Sequence, residues 1–314
     1  MRYRWLIILL GWLHGGAIAQ DSAEEYILTR YNTDNGLPQN SVKGLAFDKL
    51  GFCWIGTEMG LVRFDGVNFR LFTNFDKLPV SSRVSNIRQL KNGDIIVKFQ
   101  GGERYRIREE KLTGTRPVLD TARFLEGNGM QTQLVDDPVL DRFHKLSQEY
   151  VRRGTTDDYY VIGKEELYIT TFDSLIIATA QGSEIRLDKR AAKTRELAII
   201  DNKIVVFQTD GQLRLLDRNG EFSQPLNRKG AFFKQACIEH TGYYLIASNT
   251  GTFGVCNGTL YRLQLNHLTI ESVPVLYDLG DLWINEIYED TVRGNIYLQS
   301  KTDGLIIAYK NPGQ

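Results

Sequence analysis

Few side chains in this sequence are of a type and spacing that could do covalent or metal chemistry. Beyond His14 in the N-terminal segment the histidines are His144, His240 and His267, and none stands in a ligand spacing such as H-E-x-x-H. There is no G-x-S-x-G, no Walker loop and no G-x-G-x-x-G after a strand; Gly127-Asn128-Gly129 falls in an apparent loop without a βαβ frame. Paired acids at Glu109-Glu110, Asp157-Asp158 and Glu165-Glu166 could in principle serve acid–base work. Adjacent carboxylates on a strand point to opposite faces, however, so solvated turn acids are the expected reading. Cys53, Cys237 and Cys256 are too few for a disulfide-built scaffold. Cys237 and Cys256 could pair in an oxidising compartment, but small buried hydrophobes at strand positions are the preferred reading. No catalytic residue, metal or cofactor is expected, and the chain reads as a non-enzyme whose chemistry is recognition.

Recognition needs a scaffold, and composition bounds what it can be. The 314 residues are 42% hydrophobic and 24% charged, an ordinary globular mixture. Lys plus Arg equals Asp plus Glu at 38 each, which supplies no basic field for nucleic acid. Arg2 and Arg4, the apolar run from Trp5 to Leu13, and Ala17-Ile18-Ala19 before Gln20 form a Sec-type signal peptide over 1–19, with cleavage expected after Ala19. The mature chain, 20–314, is then expected in the periplasm or outside the cell. The apolar run is shorter than the roughly 18 to 20 residues that span a bilayer, and no later segment invites membrane insertion.

The scaffold itself is legible between Val42 and Phe72. Residues 42–47 alternate like a strand, 48–51 turn, 52–55 form a second strand, Gly56 and Gly60 bracket a turn at Thr57-Glu58-Met59, and 61–64 form a third strand. Asp65-Gly66 is a strong hairpin signal before a fourth strand at 69–72. In this antiparallel meander Trp54, Leu61 and Phe64 are expected to fill the space against neighbouring sheets, with Gly56 and Gly60 serving backbone geometry. A single meander cannot bury both faces, and copies of it recur. From Ile284 the order returns with Asp290 for Asp48, Gly294 for Gly51 and Tyr297 for Trp54. Weaker copies pair 84–87 with 94–97, 159–162 with 167–170, 204–207 with 213–216, and 243–246 with 260–263. A spacing near 40 residues predicts an all-β fold, a β-propeller of six or seven four-stranded blades. Residues 26–31 should supply the missing outer strand of the last blade. One segment breaks the pattern: Asp137-Pro138 opens a helical spacing of Val139, Leu140, Phe143, Leu146 and Tyr150, an amphipathic insertion over 137–153 that packs on its own propeller.

The stretch NTDNGLPQNSVKGLAFDKLGFCWIGTEMGLVRFDG closely resembles the first repeat of the two-component regulator propeller family, most fully from Asn35 to Gly66. The last copy departs from it, with Tyr297-Leu298-Gln299-Ser300 in place of Trp-Ile-Gly-Thr, and 120–158 fits no blade. The resemblance implies a periplasmic ligand-sensing region, usually of two propellers, followed by a three-Tyr-type β-sandwich, a membrane helix and a kinase or DNA-binding output. The chain ends at Gln314 without these, so an isolated first propeller or a truncated receptor is expected.

The expected function is a sensing module for a carbohydrate or another small solute, possible partners being the rest of a receptor chain or a dimer mate. The alternatives are a propeller enzyme acting on polysaccharide and a structural or protein-binding propeller. In a meander the connection between blades and the loop joining second and third strands share one face. That topology places Asn40, Glu58, Arg83 and Asp303 as candidate ligand-binding residues.

Overall fold

The computed structural model describes residues 26–72, 83–89, 93–101, 104–108, 111–113, 156–162, 165–234 and 242–311, with Arg142, Phe143, Lys145, Leu146, Glu149 and Tyr150 of a helix. The expected signal segment lies outside these. After β1 (Tyr26–Tyr31), the first blade is β2 (Val42–Phe47), β3 (Cys53–Thr57), β4 (Gly60–Phe64) and β5 (Phe69–Phe72), all antiparallel. Its turns are fixed locally. Asp48 accepts the backbone N–H of Leu50 and of Phe52, both at 3.0 Å, and the Trp54 indole N–H at 2.8 Å. At the other end Thr57 Oγ1 donates to the Gly60 carbonyl at 2.8 Å, and Gly60 takes a φ of +138°. Asp65 closes the last hairpin by accepting from Val67 N and Asn68 N.

Both faces of this blade are buried, so its strands read as nearly continuous apolar runs. Trp54, Leu61 and Ala46 pack with Val84, Ile87 and Val97 of the second blade, β6 (Val84–Gln89), β7 (Ile95–Phe99), β8 (Arg104–Arg108) and β9 (Lys111–Thr113). Leu45, Phe47 and Phe64 pack with Tyr297 and Leu305 on the other side. Gly56 is needed for closeness: a Cβ there would stand 2.6 Å from Val84 Cγ1.

The third blade is β10 (Thr156–Ile162), β11 (Glu166–Thr171), β12 (Ser174–Thr179) and β13 (Glu184–Asp188). One face packs on the fourth blade, and the other carries the helix through Phe143, Leu146 and Tyr150 against Leu167, Ile169, Ile176 and Ala178. The helical stripe thus packs on its own propeller, as expected. Of the acid pairs, Glu165 is an exposed turn residue as expected, while three others lie in strands and not in turns. Asp157 and Asp158 lie in β10 at a register shift, and Glu166 begins β11, accepting the Tyr168 hydroxyl at 2.6 Å; Glu109-Glu110 lies outside the described residues.

The fourth and fifth blades depart from four strands. The fourth has three, β14 (Thr194–Ile200), β15 (Lys203–Gln208) and β16 (Leu213–Leu216). After one bridge, Leu216 to Phe222, the chain leaves for the next blade as β17 (Asn227–Lys229). There it pairs parallel to β21, outside β18 (Tyr243–Ala247), β19 (Thr252–Cys256), β20 (Thr259–Asn266) and β21 (Thr269–Leu276). Leu226, Phe232 and Phe233 fill the gap between the two blades, and a Cβ on Gly254 would collide with the Phe232 ring. Cys256 is disulfide-bonded, which overturns its reading as a small hydrophobe. Cys53 is free and buried, and Cys237 lies outside the described residues.

The sixth blade, β22 (Glu286–Asp290), β23 (Asn295–Ser300) and β24 (Gly304–Lys310), is completed by β1, from Tyr26 opposite Lys310 to Tyr31 opposite Leu305. The N-terminal strand therefore supplies the missing outer strand, as expected. Six such sheets are present among the described residues, and the fold is a β-propeller.

Candidate ligand-binding face

In each blade one inner-strand residue pairs with the position just before the hairpin that joins the second and third strands. These residues are Gly44, Asn86, Asp158, Glu196, Tyr244 and Glu286, opposite Gly56, Lys98, Thr170, Phe207, Val255 and Gln299. In the first four blades the register shifts immediately before this residue, the mark of a bulge. Inner strands surround the propeller axis, so these six positions form a ring at one end of it, and Asn86, Glu196, Tyr244 and Glu286 bring hydrogen-bonding groups to that end.

The glycine leaves a gap that two other blades use. Arg88 of β6 donates through Nη1 to Glu286 Oε1 of β22 at 2.7 Å, spanning the first blade between them. A Cβ on Gly44 would lie 3.6 Å from Glu286 Oε2 and 2.9 Å from Ile87 Cγ2, so the pair passes over a backbone kept bare. Burial pushes the Glu286 carboxyl above its ordinary range, and the Arg88 charge pulls against it. Both side chains still keep about 30% of their surface open (31% and 28%).

An aromatic pair stands at the rim. Tyr244 holds its hydroxyl between the Leu282 carbonyl, at 3.1 Å, and Ile284 N, at 3.2 Å. Trp283, in the connection entering the sixth blade, stacks on the Tyr244 ring at 4.5 Å and 20° yet remains 58% exposed. Such a wall is rigid, flat and wet on one side.

The four residues expected from topology are only partly brought together. Glu58 pairs with Lys43 at 2.7 Å and receives the Ser41 hydroxyl at 3.4 Å. Its carboxyl is held below the ordinary range, first by Lys43 and further by the charge of Arg83, so Glu58 and Arg83 share one neighbourhood. Asn40, beside Ser41, is committed locally, its Oδ1 accepting from Thr33 N at 2.9 Å. Asp303 is bound to Arg30 of β1 and to the Ser300 and Thr302 hydroxyls, which makes it an element of the ring closure. Asn86 and Glu196 were not anticipated from sequence, because a bulge displaces the period-2 pattern by one residue where they stand. No group of three or more metal-ligating side chains occurs among the described residues.

Similarity was found to extracellular propeller domains. The chain superposes over 92% of its length on 42% of the extracellular domain assigned to a hybrid two-component system from B. thetaiotaomicron, with a TM-score of 0.51 and 14% identity. It also superposes over 91% of its length on 39% of PorZ from Porphyromonas gingivalis, a surface component of the type-IX secretion system, with a TM-score of 0.53 and 12% identity. The fold is shared with the extracellular domain of the one and with the surface component that is the other. In sequence, 68 residues, 22% of the chain, are 35% identical to 5% of histidine kinase P4 from Formosa agariphila. The chain therefore spans less than half of either structural neighbour, and its match spans a twentieth of that kinase. No family model matches. Among the described residues no helix is long and apolar enough to cross a membrane.

Proposed function

We propose that this propeller is the ligand-sensing module of a periplasmic signal-transduction receptor, and that it takes a carbohydrate or another small solute over its axis. The observation that carries this reading is Trp283, stacked on Tyr244 of an axis-facing strand yet 58% exposed beside the polar inner-strand ring. An aromatic plane with hydrogen-bonding groups next to it suits a solute that is apolar on one face and hydroxylated at its edges. Glu58 and Arg83 stand among the loops of the same face and would contribute contacts at its rim. Asn40 and Asp303 would act there by holding those loops. The N-terminal motif and the short kinase match support the receptor context, and the bonded Cys256 fits an oxidising compartment.

The test is a glycan and solute panel applied to the mature chain, following melting temperature and product release together. A thermal shift without turnover, lost in Trp283→Ala while the unliganded melting temperature holds, is the expected result. Product release would make the protein an enzyme instead, and binding unchanged in Trp283→Ala would move the site off this wall.

A further inference from the structure

The Arg88 guanidinium is only half used. Nη1 serves Glu286 at 2.7 Å and the Ile87 carbonyl at 3.3 Å, while Nε and Nη2 have no partner among the described residues. Neither atom is sealed from water, since neither is among the buried groups lacking a partner. Nε and Nη2 form one edge of the planar fork, the edge that matches two oxygens of a carboxylate, sulfate or phosphate. Asn86 lies two residues earlier on the same face of β6, and its side-chain amide likewise has no partner among the described residues. Gly44 on the first blade presents only backbone, and Ile87 and the Glu286 carboxylate sit directly over it. On this side of the axis Arg83, Lys43 and Arg88 stand with Glu58 and Glu286, three cations to two carboxylates.

We propose that the axial funnel binds an oxyanion-bearing solute, with the anionic group seated bidentately on the Nε–Nη2 edge of Arg88 and the Asn86 amide beside it. The proposal rests on the axis being the ligand site and adds the charge of the ligand. Glu196, on the fourth blade, sets the opposite polarity across the ring, so the solute's hydroxyls face that side and its anion faces Arg88.

The test is calorimetric titration of the mature chain with matched probes at one ionic strength: glucuronate, glucose 6-sulfate and glucose 6-phosphate against glucose, and the corresponding acidic and neutral disaccharides. Acidic probes should bind more tightly than their neutral partners, and whichever of carboxylate, sulfate or phosphate binds best names the anion. Arg88→Lys keeps the charge and the pairing with Glu286 but removes the fork, and should weaken acidic probes about 10- to 100-fold, the range of a charged hydrogen-bonded contact, while leaving neutral ones unchanged. Glu286→Gln removes the competing carboxylate and should tighten acidic probes, a gain that a merely structural role for the pair would not give. Neutral probes bound better than acidic ones, with Arg88→Lys silent, would overturn this proposal and leave the sensing reading intact. Acidic probes bound by both Trp283→Ala and Arg88→Lys with the affinity of the wild type would place their site elsewhere and overturn both.

Discussion

The indole N–H of Trp54 donates to the Asp48 carboxylate at 2.8 Å, joining a fully buried side chain to the turn that precedes its strand. One carboxylate therefore sets the turn, through Leu50 N and Phe52 N, and orients the largest residue between the first two blades. Trp54→Ala should cost about 3 to 5 kcal/mol by opening a cavity. Asp48→Ala should cost about 1 to 3 kcal/mol by leaving a buried donor and two turn N–H groups unpaired, and Trp54→Phe should suppress only the part of that loss due to the indole N–H. Urea denaturation of the four proteins completes the cycle; additive losses would uncouple the two residues.

Ring closure depends on one glycine. Gly304 has a φ of +85°, and a Cβ on it would collide with the Tyr31 carbonyl oxygen, a backbone atom inside the closing ladder. Gly304→Ala should therefore destabilise by more than the roughly 1 to 2 kcal/mol of the left-handed backbone alone. Arg30→Ala, which removes a half-exposed ion pair, should cost less than about 1 kcal/mol. Melting temperatures falling in the order wild type, Arg30→Ala, Gly304→Ala are expected, and the reverse order of the two variants would refute this account of closure.

Between the fourth and fifth blades the sensitive residue is Gly254. The Phe232 ring lies across it, and Gly254→Ala should force that ring off its seat and loosen β17, at a cost of about 1 to 3 kcal/mol for overpacking. Pairing Gly254→Ala with Phe232→Leu should recover some of the loss in a thermal melt.

Acid should weaken closure through Asp303. The Thr302 hydroxyl, the Ser300 hydroxyl and Arg30 hold its carboxyl below the ordinary range. A depressed folded-state value contributes stability above the unfolded value, near 3.9, and that contribution is lost as pH falls through the folded one. Asp303→Asn should then lose less stability than wild type between about pH 5 and pH 2. Glu286 carries the opposite sign: its value is raised, so its contribution falls as pH rises above the ordinary glutamate value near 4.3. Glu286→Gln should remove that component of the profile, which stability curves at several pH values would show.

What the sequence made legible was local. Asp48, Gly51, Trp54, Thr57 and Gly60 declare a blade because each acts within a few residues of itself, through the turn bonds of Asp48 and the Thr57 bond to the Gly60 carbonyl. The closing strand could be foreseen because residues 26–31 alternate and the last blade lacked an outer strand. The route of 217–229 could not, since parallel pairing of β17 with β21 joins segments with no shared local signal. Part of the axial ring was hidden for a different reason: bulges put Asn86 and Glu196 out of step with the alternation that names inward and outward residues. The loop residues Asn40 and Asp303 were placed on the right elements, but their partners, Thr33 and Arg30, come from the closing segment and turn both toward holding loops.

The pairing of Tyr26 with Lys310 and of Tyr31 with Leu305 also fixes how the ring bears load. A pull that separates Tyr26 from Lys310 acts at one end of the ladder, so its hydrogen bonds break rung by rung, as a zipper opens. A pull applied to Tyr31 and Lys310 in opposite directions along the strands would have to shear all the rungs together. The seam is therefore weak when peeled from the outer end and strong against sliding.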